Sequence, residues 1–500
     1  MNRYKKLIIG LMLVVPLMFT SCKKDLAEMN INPNTSQVMN YGAQFLYCQG
    51  NAHQIMGQIG MSFYACAIQQ IAAITLYQAP GDKYLNSNDN LGSMYTGQYT
   101  TAIKNLVDLI NRTKNDPKLS NYYNIARIMK VYSFAVITDT WGDTPYFEAG
   151  KGYIDLNFKP VYDTQEAIYA DFFKELSEAI PALDASQVTY DGSDSYYSGD
   201  LQQWSKLGYS LMLRLAMRVQ KVNPTLAQQW VNTAVSGGVF TSNDDNQVFH
   251  HSSSGVVNSI NSSMRSNMAR FRVSRTIVNM MRNAGDPRLN IFFEPYSGTV
   301  LEGLPNGLDA TTIADPAQNP TLVEFDKSAY FNKTILVDLG APDFGVTYAE
   351  VCFLKCEAVL RGWITGDATD LYNKGVTASM KMWGIYAGIT VPSDAAIQTY
   401  LTAHPFDGSY KMIGEQMYLT FWRQFAEAYS NWRRTGYPVL VPVVYPNNET
   451  GGQIPRRVPY YGFGTTNTGV LTNWDNYQAA VARQGPDNYL TRVWWDVAAK

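Results

Sequence analysis

The sequence predicts a mainly α-helical fold built from packed helical hairpins, with one loop-rich insertion region. Apolar residues recur at helical spacing in most segments, and the clearest of these, residues 347–384, contains two helices joined by a short turn. Residues 240–341 instead lack a regular period, and the glycines and prolines around residues 303–307 point to long loops and short strands. Such an insertion between helical pairs is where a binding function would most naturally lie.

The first helix of the clearest hairpin has apolar residues on two faces. A helix of this kind is buried on two sides, so we expect Glu357 and Arg361 to be left as an i,i+4 pair on the surface. Asp367 can cap the second helix, which carries Gly375 and Ser379 one turn apart. Because both residues are small, they would allow another helix to approach closely. The two helices therefore predict a tight hairpin of tetratricopeptide-like character, with a packing role and no chemistry.

Further amphipathic segments predict the remaining helices, and a loop rich in Gly, Asn, Asp and Pro separates the first two. The predicted helices span residues 42–77, 95–112, 121–137, 163–180, 201–220, 225–235 and 415–434. The loop covers residues 79–91. Trp141 and Tyr146, which follow the third of these helices, are expected to complete the core.

The N-terminus has the features of a bacterial lipoprotein signal. Three basic residues precede the apolar segment Leu7–Phe19, which is too short to span a bilayer, and small residues lead from it to Cys22. Cys22 is therefore the expected site of lipidation, and the alternative is an ordinary signal peptide with an incidental cysteine. The expected division of the chain is a signal peptide at residues 1–21, a lipid anchor and tether at 22–40, and the folded domain at 41–500.

Composition argues against several classes of function. Charged residues are only 16% of the 500, and the formal net charge of −2 gives no basic field for nucleic acid. The chain has four histidines and no spacing typical of metal ligands, so neither a metal site nor a cofactor is expected. The cysteines other than Cys22 are expected to be buried as small hydrophobic residues: Cys48, Cys66, Cys352 and Cys356. An oxidising compartment would permit a disulfide, which the sequence alone cannot assign.

Several phrases of the sequence resemble those of a known protein family and occur in the same order. The hairpin sequence YAEVCFLKCEAVLRGW…YNKGVTASMKMWG resembles a signature of the SusD-like, or RagB-like, nutrient-binding lipoproteins. The other phrases are DLAEMNINPN at residues 25–34, TDTWGDTPYFEA at 138–149, DPRLNIFFEP at 286–295, EAYSNWRRTGYP at 427–438 and IPRRVPY at 454–460. The match is closest to the family's starch-binding-associated outer-membrane branch. The chain departs from the pattern after the last phrase, where the usual acidic residue is missing.

The resemblance implies a cell-surface outer-membrane lipoprotein that binds a glycan or another nutrient oligomer. It also implies that the ligand passes to a SusC-like TonB-dependent transporter. Two alternatives stay open: a helical-repeat scaffold that binds protein and no small ligand, and a lipid-anchored hydrolase. The sequence has no GxSxG elbow, HExxH motif or Walker loop. The conceivable catalytic carboxylates Asp82, Asp89, Asp143 and Glu148 each lie in turns, where they commonly accept backbone hydrogen bonds. We therefore expect a binding protein and not an enzyme.

The segment from Tyr77 to Tyr95 has the composition that sugar recognition needs. Aromatic faces can stack on the apolar C–H patches of a sugar, while amides and carboxylates take its hydroxyls. In SusD-like proteins the ligand site lies partly in this region, which supports the same assignment. The expected ligand-binding residues are Tyr77, Tyr84, Asn86, Asn88, Asp89 and Tyr95, with Phe293, Tyr296 and Tyr330 as weaker candidates from the insertion. The alternative for each is a side chain that packs on its own domain.

Overall fold

The computed structural model describes residues 40–498, except for residues 55–56, 58–59, 77–78, 86–87, 267–268 and 461–472. Its contacts divide the chain into Met1–Tyr41 and Gly42–Lys500, and the description below concerns the second unit. The expected signal peptide, the lipidation site Cys22 and the tether up to residue 39 lie outside the described residues, as do Tyr77 and Asn86.

Helices dominate the described residues, which confirms the mainly α-helical fold. In chain order they are α1 Tyr41–Gln54, α2 Pro80–Lys83, α3 Asn88–Gln98, α4 Lys104–Thr113, α5 Ser120–Trp141, α6 Gln165–Ala179, α7 Leu201–Arg218, α8 Pro224–Gly237, α9 Ser259–Ser266, α10 Arg275–Asn283, α11 Leu289–Phe292, α12 Lys333–Leu336, α13 Tyr348–Leu360, α14 Ala368–Lys381, α15 Asp394–Ala403, α16 Tyr410–Thr420, α17 Phe425–Thr435 and α18 Trp474–Gln484. Two π-helical turns, Gly60–Ala65 and Tyr99–Ile103, supplement them. None of the described helices combines the length and the apolar character needed to cross a membrane.

Short strands form two-stranded antiparallel sheets that mostly involve the insertion region. The strands are β1 Ile71–Ala73, β2 Thr144–Pro145, β3 Tyr162–Asp163, β4 Val248–Phe249, β5 Phe271–Val273, β6 Phe293–Pro295, β7 Ala329–Phe331 and β8 Asp343–Phe344. The pairs are β1–β5, β2–β3, β4–β8 and β6–β7. In the first pair Ile71 lies opposite Val273, so the insertion region is joined to the start of the domain.

Consecutive helices pack in pairs, as in a tetratricopeptide-like arrangement: α4 with α5, α5 with α6, α7 with α8, and α13 with α14. In the last pair a Cβ at Gly375 would lie 2.8 Å from the ring of Phe353, which leaves no room for a side chain. Ser379 on the same face is fully buried. Asp367 caps α14 by accepting hydrogen bonds from the backbone N–H groups of Thr369 and Asp370. The hairpin is therefore built as its sequence predicts.

Glu357 is a correction to the sequence analysis, because it is not a surface residue. Its side chain is only 4% exposed and forms a 2.7 Å ion pair with Arg434 on α17. The expected pair with Arg361 also exists, at 2.8 Å, and Arg361 keeps a quarter of its side chain exposed. The carboxylate is thus an inter-helix contact, which the i,i+4 spacing within one helix could not reveal.

Three expected boundaries are also wrong. Residues 42–77 do not form one helical region, because the chain leaves its helical course after Ala67 and enters strand β1. The expected loop at residues 79–91 contains the short helix α2 and the start of α3. Residues 415–434 form two helices rather than one, and Arg423 between them has the left-handed φ of 72°. In the first and third cases tertiary packing overrides a local helical pattern, whereas in the second case helices form where the composition predicts a loop.

Five charged side chains form a buried network where α5, α7, α13 and α17 meet. Arg214 pairs with Glu350 at 2.5 Å, and Arg218 pairs with Glu427 at 2.6 Å. Arg218 also approaches Asp139 to 3.2 Å. Burial raises the pKa of Asp139 and of Glu350, and the neighbouring arginines oppose that shift. The four helices therefore have to dock together for any of these charges to be compensated.

We expect Glu350→Ala to lower the free energy of unfolding by about 3–5 kcal/mol, because Arg214 would stay buried without its close partner and with only the more distant Glu427, at 3.8 Å, to compensate its charge. Urea denaturation at pH 7 would measure the change. Glu324→Ala is the matched control, since it removes a carboxylate whose pair with Lys327 is 64% exposed on both sides. Surface pairs of that kind contribute up to about 1 kcal/mol. Equal losses in the two variants would contradict the assigned importance of the network.

His53 gives the domain a specific acid sensitivity. It is fully buried on α1, with its Nε2 3.0 Å from Tyr196 Oη and its ring stacked on Phe249. Burial lowers its pKa to about 4, with Asp343 opposing the shift and His251 adding to it. The unfolded chain, in which the pKa is about 6.5, binds the proton more readily. The contribution of this group to stability is therefore complete above pH 6.5 and is lost as the pH falls toward 4.

We expect the wild-type chain to lose up to about 3 kcal/mol more between pH 7 and pH 4 than the variant His53→Gln, which has no proton to take up at this position. Urea denaturation of both proteins at several pH values would give the two slopes. The comparison uses the change with pH and not the stability at one pH, so any packing cost of the substitution cancels. Parallel pH profiles would contradict the prediction.

Candidate functional site

A cleft of about 520 Å³ opens between the start of β1, the helix α10 and two loops. One loop contains residues 305–308 and the other contains residues 441–444. The polar side chains that line the cleft are Gln69, Arg275, Thr276, Asn279, Asn306 and Gln318. Prolines, valines and Leu308 supply the remaining lining. The result is a mixed surface that offers several hydrogen-bonding groups beside apolar patches.

The pairing of β1 with β5 brings two walls of the cleft together. Ser274 follows β5 directly; its N–H donates to the carbonyl of Gln70 at 3.0 Å, and its hydroxyl caps α10. Gln69 then links both sides, because its Nε2 donates to the carbonyl of Val441 at 2.5 Å and its Oε1 accepts from the Thr276 hydroxyl at 2.8 Å. Residues separated by more than 200 positions are thus held at one site.

A buried ion pair fixes the third wall from behind. Asp82 and Lys83 on α2 are fully buried and lie 2.7 Å apart. Asp82 also accepts hydrogen bonds from Asn306 Nδ2 at 2.6 Å and from the backbone N–H of Gly307 at 3.0 Å. Since a buried carboxylate is stable only when its oxygens are paired, these bonds hold the loop in one position. Asp82 therefore shapes the cleft without facing it.

Tyr84 supports the fourth wall in a similar way. Only 1% of the residue is exposed, and its phenolic oxygen accepts a hydrogen bond from the backbone N–H of Val443 at 3.1 Å. Its carbonyl accepts a second bond from the N–H of Glu449 at 2.9 Å. Burial raises the pKa of this phenol, so it stays protonated. In this structure Tyr84 lies behind the wall and offers no aromatic face to the cleft.

The other expected site residues in this part of the chain are placed differently. Asn88 and Asp89 lie in the first turn of α3, and their side chains fall outside the described part of the structure. Tyr95 is half-buried, with its ring centroid 4.9 Å from those of both Tyr99 and Trp141. It does not line the cleft. Trp141 is fully buried, as the sequence analysis expects of it.

The three candidates from the insertion belong to the β6–β7 pair and its edge. Phe293 and Tyr330 are almost completely buried. Tyr296 is half-buried, and its ring lies 5.2 Å from that of Tyr330 and 3.9 Å from the guanidinium of Arg272. The structure therefore brings Tyr296 and Tyr330 together, but around an arginine of β5 and not at the cleft.

Sequence reasoning missed the residues that do line the cleft. Arg275 and Asn279 lie on α10, a helix inside a region where no helix is expected. The segment Pro438–Tyr445, with the sequence PVLVPVVY, could have been identified from the sequence. Its valines and prolines follow neither a helical nor a strand period, which indicates an extended segment without strand partners. Val441 and Val444 are indeed mostly exposed there.

The chemistry of the cleft favours binding. Among its described lining residues there is no carboxylate, histidine or cysteine. Arg275 is the charged group of the lining, and its Nη2 donates to Asn319 Oδ1 at 3.2 Å and to the Thr321 hydroxyl at 2.5 Å. Burial lowers the pKa of Arg275, opposed by Glu302. These residues provide donors and acceptors for hydroxyl or amide groups, but no acid–base pair for hydrolysis.

All four described cysteines are free thiols, and all are buried. Burial raises the pKa of each of them, which keeps them protonated and unreactive. Their expected role as small hydrophobic residues is confirmed. Cys352 and Cys356 face the packed interior of the α13–α14 hairpin and not the cleft.

Comparison with known proteins adds family information to this geometry. A SusD-like family described as "starch-binding associating with outer membrane" matches residues 30–461. A solved chitin-binding protein is 32% identical and has a TM-score of 0.82, over 92% of this chain and 100% of that one. A SusD-like protein from Bacteroidetes is 26% identical, with a TM-score of 0.80 and the same coverage. A chitin-binding SusD homologue from Flavobacterium johnsoniae, at 23% identity, has a TM-score of 0.78 over 92% of this chain and 99% of that one. No curated protein sequence matches.

Proposed function

Because the chain belongs to the SusD-like family of starch-binding proteins associating with the outer membrane, we propose that it binds a glycan in the cleft between β1, α10 and residues 441–444. The observation that carries this proposal is the lining itself: four of its six polar side chains are carboxamides, and no described lining residue is a carboxylate. The volume of about 520 Å³ is within the range of small-ligand sites, about 300–1,000 Å³.

The lining suggests a neutral ligand that carries both hydroxyl and amide groups. A carboxamide donates and accepts at once, so it can pair with a hydroxyl or with an N-acetyl group. Two of the structural relatives are named as chitin-binding. Chito-oligosaccharides are therefore the first ligands to test, and malto-oligosaccharides follow from the description of the family.

Part of the expected tyrosine- and asparagine-rich segment stays in the proposed site. Asp82 and Tyr84 hold two walls of the cleft, and four expected site residues flank them in the sequence: Tyr77, Asn86, Asn88 and Asp89. We propose that these four residues extend the binding surface. Tyr84, Tyr95, Phe293, Tyr296 and Tyr330 take a supporting role in this proposal, because their rings pack within the domain. Direct ligand contact is assigned instead to Asn279 and Gln318.

We expect the double variant Asn279→Ala/Gln318→Ala to bind its glycan at least five-fold more weakly than the wild-type chain. Each lost hydrogen bond contributes about 0.5–1.5 kcal/mol, and every 1.4 kcal/mol corresponds to ten-fold in affinity. Isothermal titration calorimetry with chitohexaose and maltohexaose would measure the effect. Asn290→Ala/Gln398→Ala is the matched control, since it removes two exposed carboxamides that lie outside the cleft.

Three other outcomes would each change the conclusion. Equal affinity of both double variants would move the glycan site away from this cleft. An absence of binding to any glycan tested, by a chain that still assembles with a protein partner, would favour the helical-repeat scaffold. Release of reducing ends from the oligosaccharides would favour the lipid-anchored hydrolase.

We further propose that the chain is a lipoprotein held by Cys22 on the exterior face of the outer membrane, next to a SusC-like TonB-dependent transporter. In this proposal residues 1–21 are removed, residues 22–40 form the tether, and residues 41–500 form the binding domain. The signal-like N-terminus and the family's outer-membrane association support it. A tether this short would raise the effective concentration of the domain at the mouth of its transporter. Packed helical pairs also offer broad surfaces to a protein partner.

Affinity purification from gently solubilised membranes should therefore recover a large outer-membrane barrel with this protein in near-equal amount. The variant Cys22→Ala should shift the protein to the soluble fraction and reduce recovery of the barrel, because the two proteins would no longer share one membrane. Cell fractionation and mass spectrometry of the eluate would measure both effects. Recovery of the wild-type lipoprotein alone, at native expression, would contradict the proposed partnership.

A further inference from the structure

Residues 147–161 form a loop that exposes an unusual amount of apolar side chain, and we call it the apolar loop. Tyr153, Leu156 and Phe158 are 84%, 75% and 70% exposed, and Phe147 and Val161 at its ends are nearly half exposed. Single exposed apolar residues are common on soluble domains and require no explanation. Five within fifteen consecutive residues, two of them highly exposed aromatics, indicate an interaction surface.

The apolar loop is held in this form by its own hydrogen bonds. Glu148 accepts bonds from the backbone N–H of Val161 at 2.9 Å and from Asn157 Nδ2 at 3.0 Å, so it closes the loop at its base. These bonds hold the pKa of Glu148 below its usual range. From outside the loop, Asn476 Nδ2 on α18 donates to the carbonyl of Lys159 at 3.0 Å. The apolar side chains are therefore presented outward by an ordered backbone.

The apolar loop packs on α4, and the first turn of α1 contacts the same helix. The Lys104 ammonium of α4 lies 5.8 Å from the centre of the Tyr153 ring, and a Cβ at Gly150 would lie 3.1 Å from Val107 of α4. On that helix the Nε2 of Gln44, from the first turn of α1, donates to Asp108 Oδ2 at 3.0 Å and to the carbonyl of Asn105 at 3.2 Å. The chain preceding α1 is the segment that would carry the lipid. Its 19 residues from Cys22 to Asn40 reach about 65 Å at most when fully extended.

Charge around the apolar loop suits a surface of phosphate groups. Lys151 and Lys159 lie within it, and Lys104, Lys114 and Lys118 lie on or just after α4. Within the loop the ionised Glu148 and the exposed Asp155 balance the two lysines. On and just after α4, Asp108 and Asp116 oppose Lys104, Arg112, Lys114 and Lys118, so basic groups outnumber acidic ones by two over the whole surface. Aromatic and aliphatic side chains beside lysines are typical of segments that lie in a membrane interface, because the rings enter the headgroup layer and the ammonium groups stay at the phosphates.

The area of the apolar loop is compatible with a protein partner or with a bilayer, so the choice between them rests on the charge and on the nearby N-terminal tether. Its five exposed apolar residues offer on the order of 600 Å². A stable protein partner covers about 800 Å² on each side, polar atoms included, of which roughly 450–520 Å² is apolar. A bilayer has no such requirement, since each side chain that enters the interface contributes independently.

We propose that the apolar loop is a membrane-contact element, which inserts Tyr153, Leu156 and Phe158 into the headgroup layer of a phosphate-bearing lipid surface. The proposal rests on the outer-membrane location proposed above. The lipid on Cys22 attaches the domain to the bilayer, and the apolar loop then fixes which face of the domain is turned toward it. A lipid anchor and a second, weaker contact at a separate point orient a domain in a way that a single flexible tether does not.

Co-sedimentation with vesicles of phosphatidylethanolamine and phosphatidylglycerol would test this with the mature chain from residue 23 onward, made without its lipid. We expect the wild-type chain to bind, and Tyr153→Ser/Leu156→Ser/Phe158→Ser to bind at least ten-fold more weakly. Val188→Ser/Val300→Ser/Val337→Ser is the matched control, because it removes three exposed apolar side chains elsewhere. It should bind as the wild-type chain does. Circular dichroism would verify that both variants are folded, and Phe158→Ser alone serves if the triple variant is not.

Failure of the wild-type chain to bind vesicles, or equal binding by the triple loop variant, would overturn the proposal. It would also be overturned if the loop variant lost its co-purifying barrel while no form of the chain bound lipid, because the loop would then be a protein interface. Glycan titration of the loop variant separates this proposal from the proposed function. Affinity for the glycan should be unchanged, whatever the vesicles show.

Discussion

The buried charges of α5, α7, α13 and α17 impose the condition on which the rest of the fold depends. Arg214 and Arg218 lie on one helix, while their partners Glu350, Glu427 and Asp139 come from three others. Removing such groups from water costs several kcal/mol each, and only the complete set of partners offsets that cost. Burial of apolar faces by itself is non-directional. The charges permit one docking of the four helices, and hence one position for the elements that follow them.

The cleft likewise depends on buried charges that have to be paired. Asp82 and Lys83 are buried together, and Asp82 has to satisfy its remaining oxygen positions with Asn306 and Gly307. A wall that is fixed by a buried carboxylate costs little entropy when a ligand arrives, since it is already ordered. Apart from Arg275, the described polar groups at the surface of the cleft are neutral, while the charges of Asp82 and Lys83 stay behind the wall. This separation suits recognition of an uncharged ligand without any acid–base chemistry.

The sequence was informative where structure is determined locally and silent where it is determined by distant contacts. Asp367 and Gly375 could be assigned because a cap and a close helix contact depend on the residue itself and its near neighbours. Glu357 could not, because its partner Arg434 is 77 positions away and nothing in the helical period marks it. For the candidate site, too, local information was available and long-range information was not. Composition indicated the segment that builds two walls of the cleft. The orientation of the Tyr84 ring, however, depends on its hydrogen bond with Val443, which is far along the chain.

Two of the places where the described residues expose apolar side chains next to polar groups are the valines of the cleft and the apolar loop. The valines of residues 441–444 border a concave cleft whose polar groups lie between them, so they can cover the apolar patches of a bound molecule while its hydroxyls are hydrogen-bonded. The most exposed side chains of the apolar loop stand beside lysines and do not line a cleft, whereas Phe147, Lys151 and Asp155 of the same loop border a second cleft of about 330 Å³ with α4 and α6. Exposed apolar side chains of this kind gain free energy in a membrane interface, and if the domain is attached by a lipid as proposed above, the bilayer is always within reach. In the two proposals, the valines of the cleft therefore face the ligand, and the apolar loop faces the membrane.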